Sequence, residues 1–200
     1  MGIIPPINPT WIPIIIETGK KVWDFIKGFL DKDIKTVSEA NPLTKESSAN
    51  EIRDMQQVFT NLQQQIASIV QETEQKVMIE VNEYFEQFEF LFQSNSSLNK
   101  KYNISTAKYE REINRIQRQC EGFIEREVST SVNLLNAEVN QILTMLPGQK
   151  KETALKSFIA STLQMSLNKF ADFFEDELKY LATLIEEDIS EQIEQLRRVN

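Results

Sequence analysis

Carboxylates are the commonest reactive groups in this chain, 30 Asp and Glu in 200 residues, and they cluster. Glu175, Asp176 and Glu177 fall together, as do Glu186, Glu187 and Asp188. Carboxylates on neighbouring helices can do acid–base work or hold two metal ions, but helical di-metal sites combine Glu with Glu-x-x-His motifs. This chain contains no histidine. That removes the His general base, the Ser/His and Cys/His nucleophile pairs and the His metal ligand. Cys120 is the only cysteine, so neither an intramolecular disulfide nor a thiolate cluster can form. It belongs to the apolar series 113-116-120-123 and reads as a buried, inert thiol rather than a reactive one. No glycine-rich phosphate loop occurs. The expectation is a protein that is not an enzyme, with no catalytic residue, cofactor, metal or small-molecule substrate. The acidic clusters then read as solvated helix faces.

Basic residues form one ordered stripe. Lys101, Lys108, Arg111, Arg115, Arg118 and Arg126 lie in one segment, and 108, 111, 115 and 118 are spaced by 3, 4 and 3. Such spacing places them on one face of a helix. Two readings compete: a stripe paired with acids of neighbouring helices, which sets their register, or a face that binds phosphate or lipid.

The elements that must position these groups are helices. From Ser48 to Phe92, Ile52, Met55, Phe59, Leu62, Ile66, Ile69, Thr73, Val77, Val81, Tyr84, Phe88 and Leu91 recur at steps of 3, 4, 3, 4, 3, 4, 4, 4, 3, 4 and 3. Ser48 followed by Glu51 makes a capping box at the start. The consecutive four-residue steps between Ile69 and Val81 form a stutter. A second apolar series runs Tyr109, Ile113, Ile116, Cys120, Phe123, Ile124, Val128, Val132, Leu135, Val139, Ile142 and Leu146, up to Pro147-Gly148. A third runs Leu155, Ile159, Leu163, Leu167, Phe170, Phe174, Leu178, Leu181, Ile185, Ile189, Ile193 and Leu196. Only Pro42 and Pro147 follow residue 13. The expected fold is therefore all-α: an elongated, antiparallel, coiled-coil-like three-helix bundle over 43–200, with helices near 48–93, 104–146 and 151–198. If the hairpin folds at residue 148, position i of the second helix faces about 297 − i of the third. Folding about residue 98 likewise places Glu72, Glu74, Glu80, Glu83, Glu86 and Glu89 beside the basic stripe.

Residues 1–42 differ in kind. The first sixteen, MGIIPPINPTWIPIII, carry no charge and four prolines. A transmembrane helix needs about 20 apolar residues and would be broken by those prolines, and no basic region precedes the stretch as in a signal peptide. It reads as an extended apolar arm. Residues 18–35 then form a short amphipathic helix, and 36–47 read as a linker. The candidate membrane or partner contacts are Ile3, Ile4, Ile7, Trp11, Ile14, Ile15, Ile16, Lys20, Lys21, Val22, Trp23, Phe25, Ile26, Phe29 and Leu30. Both tryptophans lie here, and Trp favours membrane interfaces. Contact with a partner protein or with the chain's own bundle are the competing readings.

Net charge is −8, so no nucleic-acid partner is expected. The expected function is a helical scaffold, attached peripherally to a membrane by its N-terminal segment and acting by self-association or partner binding. One alternative is a structural or regulatory subunit of a larger, NTPase-containing complex, with the arm docked on a neighbour. Another is an α-helical pore-forming or membrane-remodelling protein. The expected location is cytoplasmic, peripheral at the membrane. An amphipathic N-terminal segment before three long antiparallel helices is similar in plan to membrane-curving N-BAR modules. The likeness is one of shape, and it implies lipid contact. N-BAR modules use a basic face, whereas this bundle is acidic.

Overall fold

A computed structural model of the chain describes residues 33–42, 44, 46–94 and 106–199. These residues are 87% helical and contain no strand, so the fold is all-α. A helical segment at 33–39 precedes α1 (Ala49–Ser94), α2 (Thr106–Cys120), α3 (Phe123–Ser131), α4 (Ala137–Leu143) and α5 (Gln149–Val199). At about 1.5 Å per residue, the 46 residues of α1 span about 70 Å.

The capping box starts α1 as its residues dictate. Ser48 N–H donates to Glu51 Oε2 at 2.7 Å, and Glu51 N–H donates back to Ser48 Oγ at 3.3 Å. The buried face then runs Met55, Phe59, Leu62, Ile66, Val70, Thr73, Val77, Val81, Tyr84 and Phe88. Its steps are 4, 3, 4, 4, 3, 4, 4, 3 and 4, near the ~3.67 of an eleven-residue repeat and not the ~3.5 of a left-handed coiled coil. Val70, rather than Ile69, carries the seam through the stutter, and Ile52 is 38% exposed.

The middle of the chain departs most from expectation. The single helix expected over 104–146 is three helices, broken at Glu121–Gly122 and again at 132–136. Gly122 takes φ +69°, a left-handed conformation that suits glycine, and serves as N-cap of α3. Asn136 caps α4, its side-chain oxygen accepting from the N–H groups of Glu138 and Val139. The second break turns Leu135 out to 94% exposure, and the turn at Pro147 leaves Leu146 78% exposed. Both leucines were expected in the core. Val132, Val139 and Ile142 remain buried.

Register follows the fold-back arithmetic. Lys108 and Tyr109 meet Asp188, Arg115 meets Glu177, and Glu127 meets Lys169, so α2 and α3 run antiparallel to α5 at position sums close to 297. Against α1, Gln117 meets Asn82, Ile124 meets Glu74 and Val132 meets Gln63. An aromatic knot joins the helices beside the first break. Phe123 stacks on Phe173 with centroids 5.1 Å apart, while Phe174 lies edge-on to Tyr84 and Phe85.

Candidate functional site

The contact residues expected between Ile3 and Leu30 lie outside the described residues, as does Lys101. What the structure describes is the chain that follows the first group. Residues 36–42, read from the sequence as the start of a linker, are helical to Glu39 and packed against the body. Ile34 and Val37 are 1% and 0% exposed and belong to the main core, and Ser38 is also buried. Gly148 N–H donates to Ser38 O at 3.1 Å. Lys151, fully buried, donates from Nζ to Ala40 O at 3.0 Å and to Leu143 O at 3.1 Å. One ammonium thus caps the last carbonyl of α4 and pins the N-terminal segment to the α4–α5 turn. Burial pushes the Lys151 amine below its ordinary range.

Of the basic stripe, two members cross to α5. Lys108 meets both Asp188 oxygens at 2.8 Å. The buried Tyr109 hydroxyl donates to the same carboxylate at 2.9 Å, and these two partners hold Asp188 below the usual aspartate range. Arg115 forks onto Glu177, also meets Glu112, and lies over the Tyr180 ring at 5.7 Å. Arg111 turns back to Ala107 O. Arg118 is exposed and makes no ion pair among the described residues. Arg126 bonds Glu121 O and Gln119 O, capping the carbonyls freed by the first break. The α1 acids take other partners: Glu72 pairs with Lys76, and Glu74 accepts from the Ile124 N–H.

Glu74 lies in the core at the break, 8% exposed, with its Oε1 3.1 Å from Ile124 N. It caps α3 from a neighbouring helix. Burial raises its pKa despite that hydrogen bond, and Glu125 adds to the rise. Cys120 is fully buried nearby, its thiol pushed up to about 12 by burial and by Glu177 and Glu74. Between α1 and α3 a groove of about 330 Å³ runs past Ile66, Ala67, Val70, Val128 and Val132. No group of His, Cys, Asp or Glu among the described residues is arranged to hold a metal ion. No described helix is long and apolar enough to cross a membrane.

Antiparallel folding sorts charge along the body. The register places 55–71 of α1, which has no charged residue, beside 128–141 and 153–171, which contain Glu138 as their only carboxylate. Residues 33–71 together with 128–171 sum to zero charge, and 72–127 together with 172–200 sum to −9. The near-neutral end is the one to which Lys151 pins residues 33–42.

Comparison with protein-family models, with curated proteins and with solved structures finds no match. Three roles at these sites are not those read from sequence, where Glu74 is expected beside the basic stripe. Lys151 follows Lys150 in a polar turn and looks like any surface lysine. Glu74 is one of many α1 glutamates, although its place between Thr73 and Val77 put it beside the apolar seam. Gly122 carried a readable signal, a glycine inside a helical pattern.

Proposed function

We propose that this chain is a non-enzymatic helical scaffold, attached peripherally to a membrane through the Trp- and Ile-bearing segment before Asp33. The observation that carries this reading is the pinning of residues 33–42 by Lys151. Whatever the preceding residues bind is thereby coupled to a fixed end of a long helical body. That end is also the one without excess negative charge, which suits approach to an anionic lipid surface. The non-enzymatic part is supported by the tasks of the buried and half-buried ionisable groups. Glu74 and Lys151 satisfy helix termini, and Asp188 holds Lys108 and Tyr109.

Vesicle flotation of the full chain beside a chain lacking residues 1–32 tests the reading. Flotation of the full chain alone is the expected result. If neither floats, membrane attachment is wrong and the subunit of a larger assembly takes its place. Truncation at 32 keeps Ile34, Val37 and the Lys151 contacts.

Self-association or partner binding is the role proposed for the acidic end. Phe90 is 68% exposed there, on a helix that carries Glu83, Glu86 and Glu89 around it. An exposed aromatic ringed by acids suits a partner with an apolar pocket and a basic rim. Sedimentation equilibrium of the wild type beside Phe90→Ser separates the second copy from a different partner.

A further inference from the structure

We propose that the seam between α1 and the α2–α3 path is a docking groove for one amphipathic helix of a partner protein, apolar toward Val132 and basic toward Glu121. One stretch of the seam, of about 330 Å³, lies between residues 60–70 of α1 and 125–132 on the α3 side. The next, of about 440 Å³, lies between 71–82 of α1 and 121–122. The crossings Gln63–Val132, Glu74–Ile124 and Asn82–Gln117 run in order beside both stretches, so the two form one line. From residue 60 to 82 that line is about 33 Å long.

The α1 bank of the groove is one helical row, Thr60, Gln64, Ala67, Gln71, Gln75 and Met78, at steps of 4, 3, 4, 4 and 3. It runs parallel to the buried seam of the same helix. Charge returns to α1 at Glu72, Lys76, Glu80 and Glu83, but the row stays uncharged through Gln75 and Met78 to Asn82. Protein–protein interfaces are depleted of charge at their centre in the same way. Ile66, Val70, Val128 and Val132 make the first stretch apolar, Glu125 stands at its end and Glu121 lines the second. Among the described residues no cation lines either stretch, and neither carboxylate has an ion-pair partner. The complementary occupant has apolar side chains at one end and Lys or Arg at the other. A helix suits the shape, because helices wall the groove on both sides and a further helix packs on such neighbours at about 8–10 Å. A second copy is a poorer occupant, since the described helices bury their apolar series in their own core. The groove lies on a different row of α1 from Phe90.

The test titrates the full chain into a dye-labelled model helix of about twenty residues and follows fluorescence anisotropy at physiological ionic strength. The peptide carries Leu along one stripe, Ala elsewhere and Lys only in its last two turns, and a second peptide has Glu in place of Lys. The Lys peptide is expected to bind about tenfold more tightly than the Glu peptide. The double variant Q64R/Q71R is expected to weaken that binding about tenfold with helix content unchanged, because both positions are exposed and Arg matches Gln in helix propensity. N61R/Q65R adds the same charge to exposed rows away from the groove and is expected to weaken it less than about twofold. Equal affinity of the two peptides, or equal loss in the two double variants, overturns the groove. Sedimentation equilibrium of the chain alone tests the other occupant: a dimer that Q64R/Q71R dissociates makes the groove a self-association surface and overturns the partner helix. Membrane attachment is decided separately, by flotation.

Discussion

Glu74 holds its carboxylate inside the core, whereas the acids of the same helix at 72, 83, 86 and 89 face water. Its folded pKa lies above the ordinary 4.5, and burial is the main cause. Just above pH 4.5 the folded state therefore holds this proton more firmly than the unfolded chain does. Its contribution to stability rises as pH falls through that window, and the ionised group opposes folding above it. Asp188 acts in the opposite sense and lower down. Its folded pKa is depressed, so its contribution is present above 3.8 and lost as pH falls through the folded value. Glu74→Gln keeps an acceptor for the Ile124 N–H and should flatten the stability profile just above pH 4.5. Urea midpoints of the two proteins measured across that range check it. Glu74→Ala leaves the buried N–H unpaired and should cost about 1–2 kcal/mol near neutral pH.

The middle path of three helices depends on two breaks with different chemistry. At the first, Gly122 is left-handed, Glu74 caps the new N-terminus and Arg126 caps the old C-terminus. A Cβ at Gly122 would meet Arg126 Nη1 at 2.9 Å, and its φ of +69° is strained for any L side chain. Gly122→Ala should therefore lower stability by about 1–2 kcal/mol. For a chain of this size that is a Tm drop of about 2–8 °C, with far-UV helicity unchanged. A rise in Tm would mean that the chain prefers a continuous helix here. The second break has a weaker local cause. Asn136 offers a cap, but nothing in the apolar spacing from Val128 to Ile142 marks an interruption.

On the scale of the whole molecule, residues 33–42 are part of the folded body. Deleting residues 1–42 removes Ile34 and Val37 from the core and takes one carbonyl from the buried Lys151 ammonium. Burial of two such side chains contributes about 1.5–3 kcal/mol each, so this truncation should cost about 3–6 kcal/mol. Deleting only 1–32 keeps these contacts and should leave a higher denaturation midpoint than deleting 1–42. Denaturant melts of the three proteins decide the matter, and equal midpoints for both truncations would mean that the segment is merely apposed. Lys151→Met should fall between, because Met fills the space but leaves the Ala40 and Leu143 carbonyls without their donor.

Helix type, the start of α1 at its Ser48–Glu51 box and the antiparallel register of the Lys108–Asp188 and Glu127–Lys169 pairs were all legible in the sequence. These depend on local spacing, capping chemistry and turn position, which one chain displays directly. Asp188 and Glu177 meet Lys108 and Arg115 from the stretch of α5 that the register sets opposite the stripe, but two other roles were not legible: Arg126 serves as a cap, and Glu74 serves a backbone N–H. Beyond the signal of Gly122 and the cap at Asn136, tertiary structure decided the breaks, because an apolar period of 3 and 4 passes through 121–122 and 132–136 unaltered. At the first break the new helix start is capped by a carboxylate 50 residues away. It also decided the charge polarity. Along the chain, uncharged stretches at 55–71, 128–137 and 157–168 are separate features of separate helices. Antiparallel packing brings them to one end, because position sums are conserved along paired helices, and leaves the −9 of the remaining segments at the other.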